Sequence, residues 1–579
     1  MKSHDGVVVR RNVSALARKE FDLVIVGGGI YGASVAREAA LRGLTVALVD
    51  QGDFANATSA NSHKIIHGGL RYLQHADLKR MRESIRERST LFRIAPHLVR
   101  PLPVLVPLYG HWSQTKLVMS LALKINDLIS IDRNRGLQPS KIIPSGRVLS
   151  KDESLNLCPG LNPHGLTGGA LFYDGQVYNP ERLILSILRS AETAGADLAN
   201  YVRVNGVLKN RNVILGVSAT DMLAGNPVEI RAHVVVNCSG PWVDWLLRRM
   251  KGLKHNTPLR LLKAVVLVTR PIVDRVALSV PGRAVFQDHD AILDKGYRYF
   301  VIAPWRDTSL VGTFQVPYDS SCEDLEVTEK EIETFIQEVN AAYEAAALTR
   351  EDIRHVYVGL LPRADIHSGT GEVQMLKHYR ILDHSKADGT EGLVSVIGVK
   401  YTTARDVAER VVDLVFKKLS KRWVPSQTAR LPVYGGELED IDRVVNSELA
   451  KEPKAISNET IRHLIQTYGS HYRDIIQYAR GKPALFQPVD STATVTKAEI
   501  VYGVREEMAQ KLSDVIFRRT ELGTAGYPGD ACLETSAAII AQEMGWREER
   551  ILREIEDVRA IYRKVGCKQW VPHDLCASS

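Results

Sequence analysis

Six residues near the start of the chain, Gly27-Gly28-Gly29-Ile30-Tyr31-Gly32, carry the spacing G-x-G-x-x-G. Glycines at these intervals let backbone approach a pyrophosphate closely, and a helix beginning there offers unpaired N–H groups and the positive end of its dipole. Asp50 ends the next apolar run and supplies the carboxylate that such a site needs for ribose hydroxyls. Gly27, Gly29, Gly32 and Asp50 are therefore read as a dinucleotide site. The bland alternative is a tight structural turn.

The elements around the glycines decide between these readings. Residues 21–26 (FDLVIV) form a strand-type run, apolar residues at helical spacing follow from Ala33 to Leu41, and Gly43 stops them. A second strand, Thr45–Val49, completes a βαβ unit of about 30 residues. Further strand-like runs at Val234–Asn237, Val265–Thr269, Phe300–Ile302 and Leu393–Ile397 predict one composite sheet that the chain revisits. A dinucleotide fold completed hundreds of residues after its fingerprint suits a tightly held FAD better than an exchanging nicotinamide. Two later segments fit that cofactor. In Val234–Trp242 a strand runs into a small-residue turn with Ser239 and Gly240. In Leu393–Arg405 a strand reaches Gly398, then Lys400, then a helix expected to hold Thr402 and Thr403 in its first turn. A helix start there stabilises negative charge on a reduced flavin.

Residues 58–74, TSANSHKIIHGGLRYLQ, resemble the second flavin-contacting segment of the FAD-dependent glycerol-3-phosphate dehydrogenase family, within the D-amino-acid-oxidase-like flavoproteins. The resemblance runs from about residue 20 to 420 and includes residues 88–107, Asn237–Trp242 and Lys400–Arg405; Val504–Arg519 is similar to the family's helical cap. It implies an α/β fold: a Rossmann-like FAD domain interleaved with an antiparallel-sheet substrate domain, plus a C-terminal all-α cap. It implies oxidation of glycerol 3-phosphate, or a closely related polyol phosphate, by hydride transfer to flavin N5, with electrons passed to a quinone. By resemblance Thr58, Ser59, Ser62, His67, Gly68 and Gly69 join the cofactor candidates. Arg71 matches the family's active-site arginine, and Lys400, Thr402, Thr403 and Arg405 match its K-x-T-T-x-R segment. The substrate half departs from the pattern. The family's S-G-V-R-P-L becomes Val358-Gly359-Leu360-Leu361-Pro362-Arg363, so its arginine position is Leu361 and Arg363 is the candidate replacement. Its K-G-S-H becomes Lys263-Ala264-Val265-Val266 without the histidine, its G-T-T-D ends in Gln315, and its D-D-A-R-L becomes Asn179-Pro180-Glu181-Arg182-Leu183.

Arg71, Lys400, Arg363 and His67 are the catalytic candidates, the cations for a substrate anion and the histidine for flavin or substrate hydroxyl. Ion pairs on a sheet surface and a structurally satisfied histidine are the ordinary alternatives. Asp288 and His289 read as a solvated turn, and Arg80, Arg82, Arg86, Arg88 and Arg93 as a solvated helix face.

With 579 residues, 45% hydrophobic and 25% charged, the chain has the balance of a multidomain globular protein. A net charge of +8 fits an anionic substrate, an anionic membrane surface or nucleic acid and does not choose among them. The basic residues are scattered, so no nucleic-acid footprint is expected. The six cysteines form no C-x-x-C pair, which predicts neither a metal site nor a disulfide framework, and a reducing, cytoplasmic setting. No run of 18 apolar residues occurs. Leu117–Ile131 reads as a half-buried helix, with an amphipathic surface helix as the alternative, and peripheral docking on the inner face of a membrane is expected from the resemblance. Residues 1–20 read as a tail, 21–420 as the interleaved domains, 421–436 as a linker and 437–579 as a helical domain. Helical spacing there marks Glu459–Tyr468, Ala498–Leu522, Thr535–Met544 and Glu548–Tyr562. The expected assembly is a homodimer. A flavin oxidase using oxygen on another polyol or an amine is the rival enzyme. An RNA-binding or redox-sensing flavoprotein is disfavoured by the missing basic cluster and reactive-cysteine motif.

Overall fold

A computed structural model describes residues 11–110, 115–249, 259–285, 297–364, 375–451, 456–491 and 493–565. Asp288, His289, Cys567, Cys576 and the first ten residues of the expected tail lie outside the described residues.

The first strand, Glu20–Val26, is buried from Phe21 onward and sits at the centre of a parallel sheet. Val46–Val49 and then Asp197–Ala199 extend the sheet on one side, and Pro227–Asn237 and then Leu393–Ile397 on the other. Arg380–Asp383 closes the second edge in antiparallel pairing. The early part of Pro227–Asn237 also pairs with an antiparallel ribbon of Val213–Asp221 and Val202–Asn210. Helices Ile30–Leu41, Pro180–Thr193 and Ala404–Lys418 share one core on this sheet, the layered arrangement that buries parallel strands on both faces.

A second, mostly antiparallel sheet runs Ile353–Pro362, Leu261–Thr269, Thr308–Tyr318, Tyr297–Trp305, Ala277–Val285, Val99–Leu108, Gly168–Val177, Ile65–Ile66. The chain alternates between the two sheets, so the Rossmann-like domain and the substrate domain are interleaved as expected. The single composite sheet is corrected to two, because Val265–Thr269 and Phe300–Ile302 lie in the antiparallel one. Leu261–Thr269 is buried along its whole length, and an unbroken apolar run looks the same in either kind of sheet.

Beyond residue 436 the elements are helical: Ile441–Leu449, Asn458–Tyr468, Tyr472–Ala479, Lys497–Glu506, Asp530–Met544 and Glu548–Lys564. The continuous helix expected over Ala498–Leu522 breaks after Glu506. Met508 takes φ +57°, and the Asp514 carboxylate captures the Gln510 and Lys511 amides, offering the backbone an alternative to the helix. Only a turn, Leu512–Asp514, and a π-helical turn, Val515–Arg519, follow. Val504, Leu512, Ile516, Leu533 and Val558 share one core with Val265, Phe300 and Val356 of the antiparallel sheet. The preceding segment is strapped to helix Ile30–Leu41, with Arg37 donating to the Leu431 and Pro432 carbonyls and Thr428 to Glu38.

Candidate active site

The three parallel strands Glu20–Val26, Pro227–Asn237 and Leu393–Ile397 end side by side, and their loops make the site. Gly27 has φ +105°, and a Cβ there would lie 2.6 Å from the Cys238 carbonyl oxygen, so the Ser239 turn rests directly on the fingerprint. Gly32 packs tighter still, since a Cβ would fall 1.8 Å from the Gly27 carbonyl oxygen. The helix beginning at Ile30 has Gly29 as its N-cap, and the Ser59 hydroxyl accepts the Ile30 amide at 3.0 Å. The next amides of that turn have no intrahelical partner, which is the donor set a pyrophosphate requires. Asp50 accepts the Gly28 amide at 2.6 Å and the Gly52 amide at 2.9 Å, and burial pushes its carboxyl up to about 6 despite both bonds. Cradle, donors and carboxylate together fit FAD.

The other cofactor candidates line the same region. Thr58 clasps the Leu360 backbone, donating to its carbonyl at 3.0 Å and accepting its amide at 3.1 Å. Ser62 accepts the Lys64 amide, and Ser239 donates to Asn237 at 2.6 Å. Gly240 opens a short turn with φ +58°. Gly68 donates to Asp174 at 2.6 Å, and Gly69 takes φ +81° against the Tyr72 ring. Thr402 and Thr403 are buried, but the helix begins at Ala404 with Thr403 as its N-cap, so they precede its first turn. Arg405 makes a buried two-bond pair with Glu87, 2.7 Å for each bond.

The catalytic candidates are brought together only in part. Lys400 and Arg80 each lie 4.2 Å from the Tyr72 ring centroid, and the His67 ring meets Tyr72 edge-on at 5.8 Å. Burial, with Arg80 next, lowers the Lys400 ammonium to about 7 against Glu83 and Asp77. Burial lowers His67 to about 3, helped by Lys400, Arg80 and Arg88, so its imidazole is neutral. Arg71 is exposed, 6.0 Å from the Tyr299 centroid. Arg363 is buried at the far end of its strand, with its guanidinium 3.4 Å from Asp319 and its Nε unpartnered. Strand alternation puts Arg363 and Leu361 on the face of Gly359, whose Cβ position lies 3.0 Å from Thr58. Val265 lies on the opposite face, in the core against Phe314 and Val358, while Gln315 pairs with Ala264.

The solvated arginine face holds for Arg82 and Arg86, whose side chains are 43% and 51% exposed, and is corrected for Arg80 and Arg88. Arg80 and Arg88 are buried, because Tyr72 receives the first and Asp174 accepts the second at 2.8 Å. Sequence reasoning also missed Tyr31. Its ring covers Gly398, its hydroxyl donates to the Lys400 carbonyl at 2.7 Å, and the Val399 and Lys400 amides donate to it at 3.2 Å each. Its place inside the fingerprint was the available signal.

Residues 22–399 match the FAD dependent oxidoreductase family, and residues 426–551 match the C-terminal domain of alpha-glycerophosphate oxidase. A glycerol-3-phosphate dehydrogenase of Synechocystis sp. is 34% identical over 94% of this chain and 97% of its own. That of Mycobacterium leprae is 32% identical over 96% and 91%. The crystal structure of the Bacillus halodurans glycerol-3-phosphate dehydrogenase complexed with FAD superposes with a TM-score of 0.75, at 25% identity and 96% coverage of both chains. With its glycine cradle, the Asp50 carboxylate and a full-length match on both halves, the chain belongs to the FAD-dependent glycerol-3-phosphate dehydrogenase family.

Proposed function

We propose that the protein oxidises glycerol 3-phosphate to dihydroxyacetone phosphate and passes the electrons to a quinone at a membrane surface. Bound FAD supplies the two-electron acceptor. The helix N-terminus at Ile30, with Gly27, Gly29 and Gly32, holds its pyrophosphate and Asp50 its ribose. Thr58, Ser59, Ser62, Gly68, Gly69, Ser239, Gly240, Gly398, Thr402 and Thr403 line the remainder. Lys400, Arg71 and Arg363 supply cations for the phosphate, since a buried dianion without partners is prohibitively costly. Neutral His67 accepts a hydrogen bond from the hydroxyl under oxidation.

The carrying observation is Lys400 over the ring of Tyr72 with the neutral His67 at its edge, both aromatic residues on the segment that also touches the fingerprint helix through Ser59. The test is anaerobic bleaching of bound FAD by glycerol 3-phosphate beside glycerol and longer polyol phosphates. Bleaching by glycerol alone, or by no phosphate ester, overturns the substrate assignment.

The membrane reading has its own support. Helix Lys116–Ile129 buries Leu123 alone. Leu117, Leu121, Leu128 and the following Ile131 are 81%, 60%, 71% and 80% exposed, in one stripe with exposed Lys116 and Lys124. With Met119 and Leu123 packed inward the helix is half-covered, and its exposed leucines on the other side support the amphipathic surface alternative. Such a face suits an anionic bilayer, and among the described residues no helix is long and apolar enough to cross one. The match of residues 426–551 to an oxidase domain favours a second reading, oxygen as acceptor. Reoxidation rates with oxygen and with a soluble quinone separate the two. The mass in solution tests the homodimer.

A further inference from the structure

The C-terminal helical region reaches the cofactor turn itself. Asp53, three residues beyond Asp50, is buried and accepts hydrogen bonds through both of its carboxylate oxygens. Arg518 and Arg519 donate to one oxygen; Arg519 at 2.8 Å and Asn200 at 2.9 Å donate to the other. Burial alone would raise this carboxyl, but Arg519 and Arg518 hold it well below the usual carboxylate range. Both arginines come from the π-helical turn Val515–Arg519, a rare conformation that recurs at functional sites. They are themselves fixed, Arg518 by Asp514 at 2.6 Å and Arg519 by the Glu507 carbonyl at 2.8 Å.

From Asp53 the contact passes straight to the fingerprint. Phe54 packs on Gly28, where a Cβ would lie 2.6 Å from its ring, and the Ala55 amide donates to the Gly28 carbonyl at 3.1 Å. The Tyr201 amide donates to Gly52 at 2.8 Å, and the Tyr201 hydroxyl donates to Asp514 at 2.6 Å. Asp50 therefore sits on a turn pinned at both ends, once by its bonds to Gly28 and Gly52 and once by two arginines from a segment more than 450 residues away in sequence.

We propose that Arg518 and Arg519 are positioning residues for the cofactor: through Asp53 they hold the Asp50 turn, so that FAD binding and docking of the C-terminal region stabilise one another. The inference rests on Asp50 being the ribose carboxylate. Coupling of this kind is reciprocal, and its usual size is about five- to 150-fold in affinity.

The experiment measures FAD affinity of the full chain by flavin fluorescence, for wild type, Arg519→Met, Arg519→Lys, Asp53→Asn and Arg306→Met. Arg306→Met is the control. It removes another buried link of the C-terminal region, to Glu521 at 2.9 Å and Thr524 at 2.8 Å, without touching Asp53. The expected result is FAD binding weakened about tenfold or more by Arg519→Met, partial recovery in Arg519→Lys, a loss in Asp53→Asn, and wild-type affinity in Arg306→Met. Hydrogen exchange of the wild-type protein is the companion measurement, needing no variant to fold. FAD must slow amide exchange in residues 512–520 relative to the protein freed of FAD. Unchanged exchange there, equal FAD affinity in all folded variants, or an equal loss in Arg306→Met overturns the clamp. A wild-type protein that takes up no FAD overturns the cofactor assignment, and the clamp with it.

Discussion

The Lys400 ammonium is lowered from 10.5 to about 7, chiefly by burial and then by Arg80. At pH 8 only roughly a tenth of the free sites then carry the charge. A phosphate dianion beside the lysine favours the charged form, so binding draws in a proton. Above pH 7 the dissociation constant of a phosphate ester should rise about tenfold per pH unit, until the raised pKa of the bound state is reached. The ester loses its own second proton near pH 6, so that window belongs to the protein. Lys400→Met removes a charge-assisted contact of about 1.5–3 kcal/mol, roughly ten- to a hundredfold in affinity, and should abolish the pH dependence. Wild type at pH 9 should approach the Met variant, and Lys400→Arg, charged throughout, should bind tightly across the range. The assay follows flavin absorbance while a phosphate ester without an oxidisable hydroxyl is titrated in. A flat wild-type profile from pH 7 to 9, or the same slope in Lys400→Met, refutes the pairing. A flat profile with slowed flavin reduction in Lys400→Met would assign the charge to the reduced flavin instead.

Gly32→Ala should yield colourless protein after gel filtration with its helical circular dichroism intact, because the new Cβ falls 1.8 Å from the Gly27 carbonyl oxygen; a yellow variant contradicts the cradle. Leu121→Glu with Leu128→Glu should lower partition onto anionic vesicles by about a hundredfold or more, since each buried leucine is worth about 1.5–3 kcal/mol; unchanged flotation removes this helix from the membrane reading. Arg363→Ala should raise KM for glycerol 3-phosphate about ten- to a hundredfold with FAD retained. Wild-type KM in that variant denies Arg363 the role of the arginine replaced by Leu361.

The cofactor half was legible because its chemistry is local. Gly27 to Gly32, Asp50 and the Ser239 turn carry their meaning in spacing along a βαβ unit, and the structure sets them within a few ångströms of one another. Arg80 and Arg88 were misread because charge period along a helix cannot reveal a partner from another element. Asp174, which takes Arg88, lies 86 residues away. The break after Glu506 was hidden for a similar reason. The apolar spacing of Ala498–Leu522 is helical throughout, and it is Asp514 turning its carboxylate back to the Gln510 and Lys511 amides that ends the pattern. Asp53 carries no motif at all, and its meaning lies in two arginines near the other end of the chain.

In the proposed reading the same burial suits Lys400 and His67 to opposite tasks. Each is pushed toward its neutral form, but from very different starting values, so one remains poised near 7 and the other falls to about 3. Where neighbouring groups are driven apart in this way, the roles of charge carrier and proton acceptor separate. At a pKa of about 3 the imidazole is a poor base in the substrate-free protein, and part of that depression comes from Lys400, Arg80 and Arg88. A bound dianion offsets those cations. If His67 faces the substrate hydroxyl as proposed, the substrate's own phosphate thereby raises the basicity of that imidazole, and an unphosphorylated polyol cannot. On this argument glycerol is discriminated against twice, once in binding and once in proton acceptance, and its deficit should appear in the rate of flavin reduction at saturation as well as in KM.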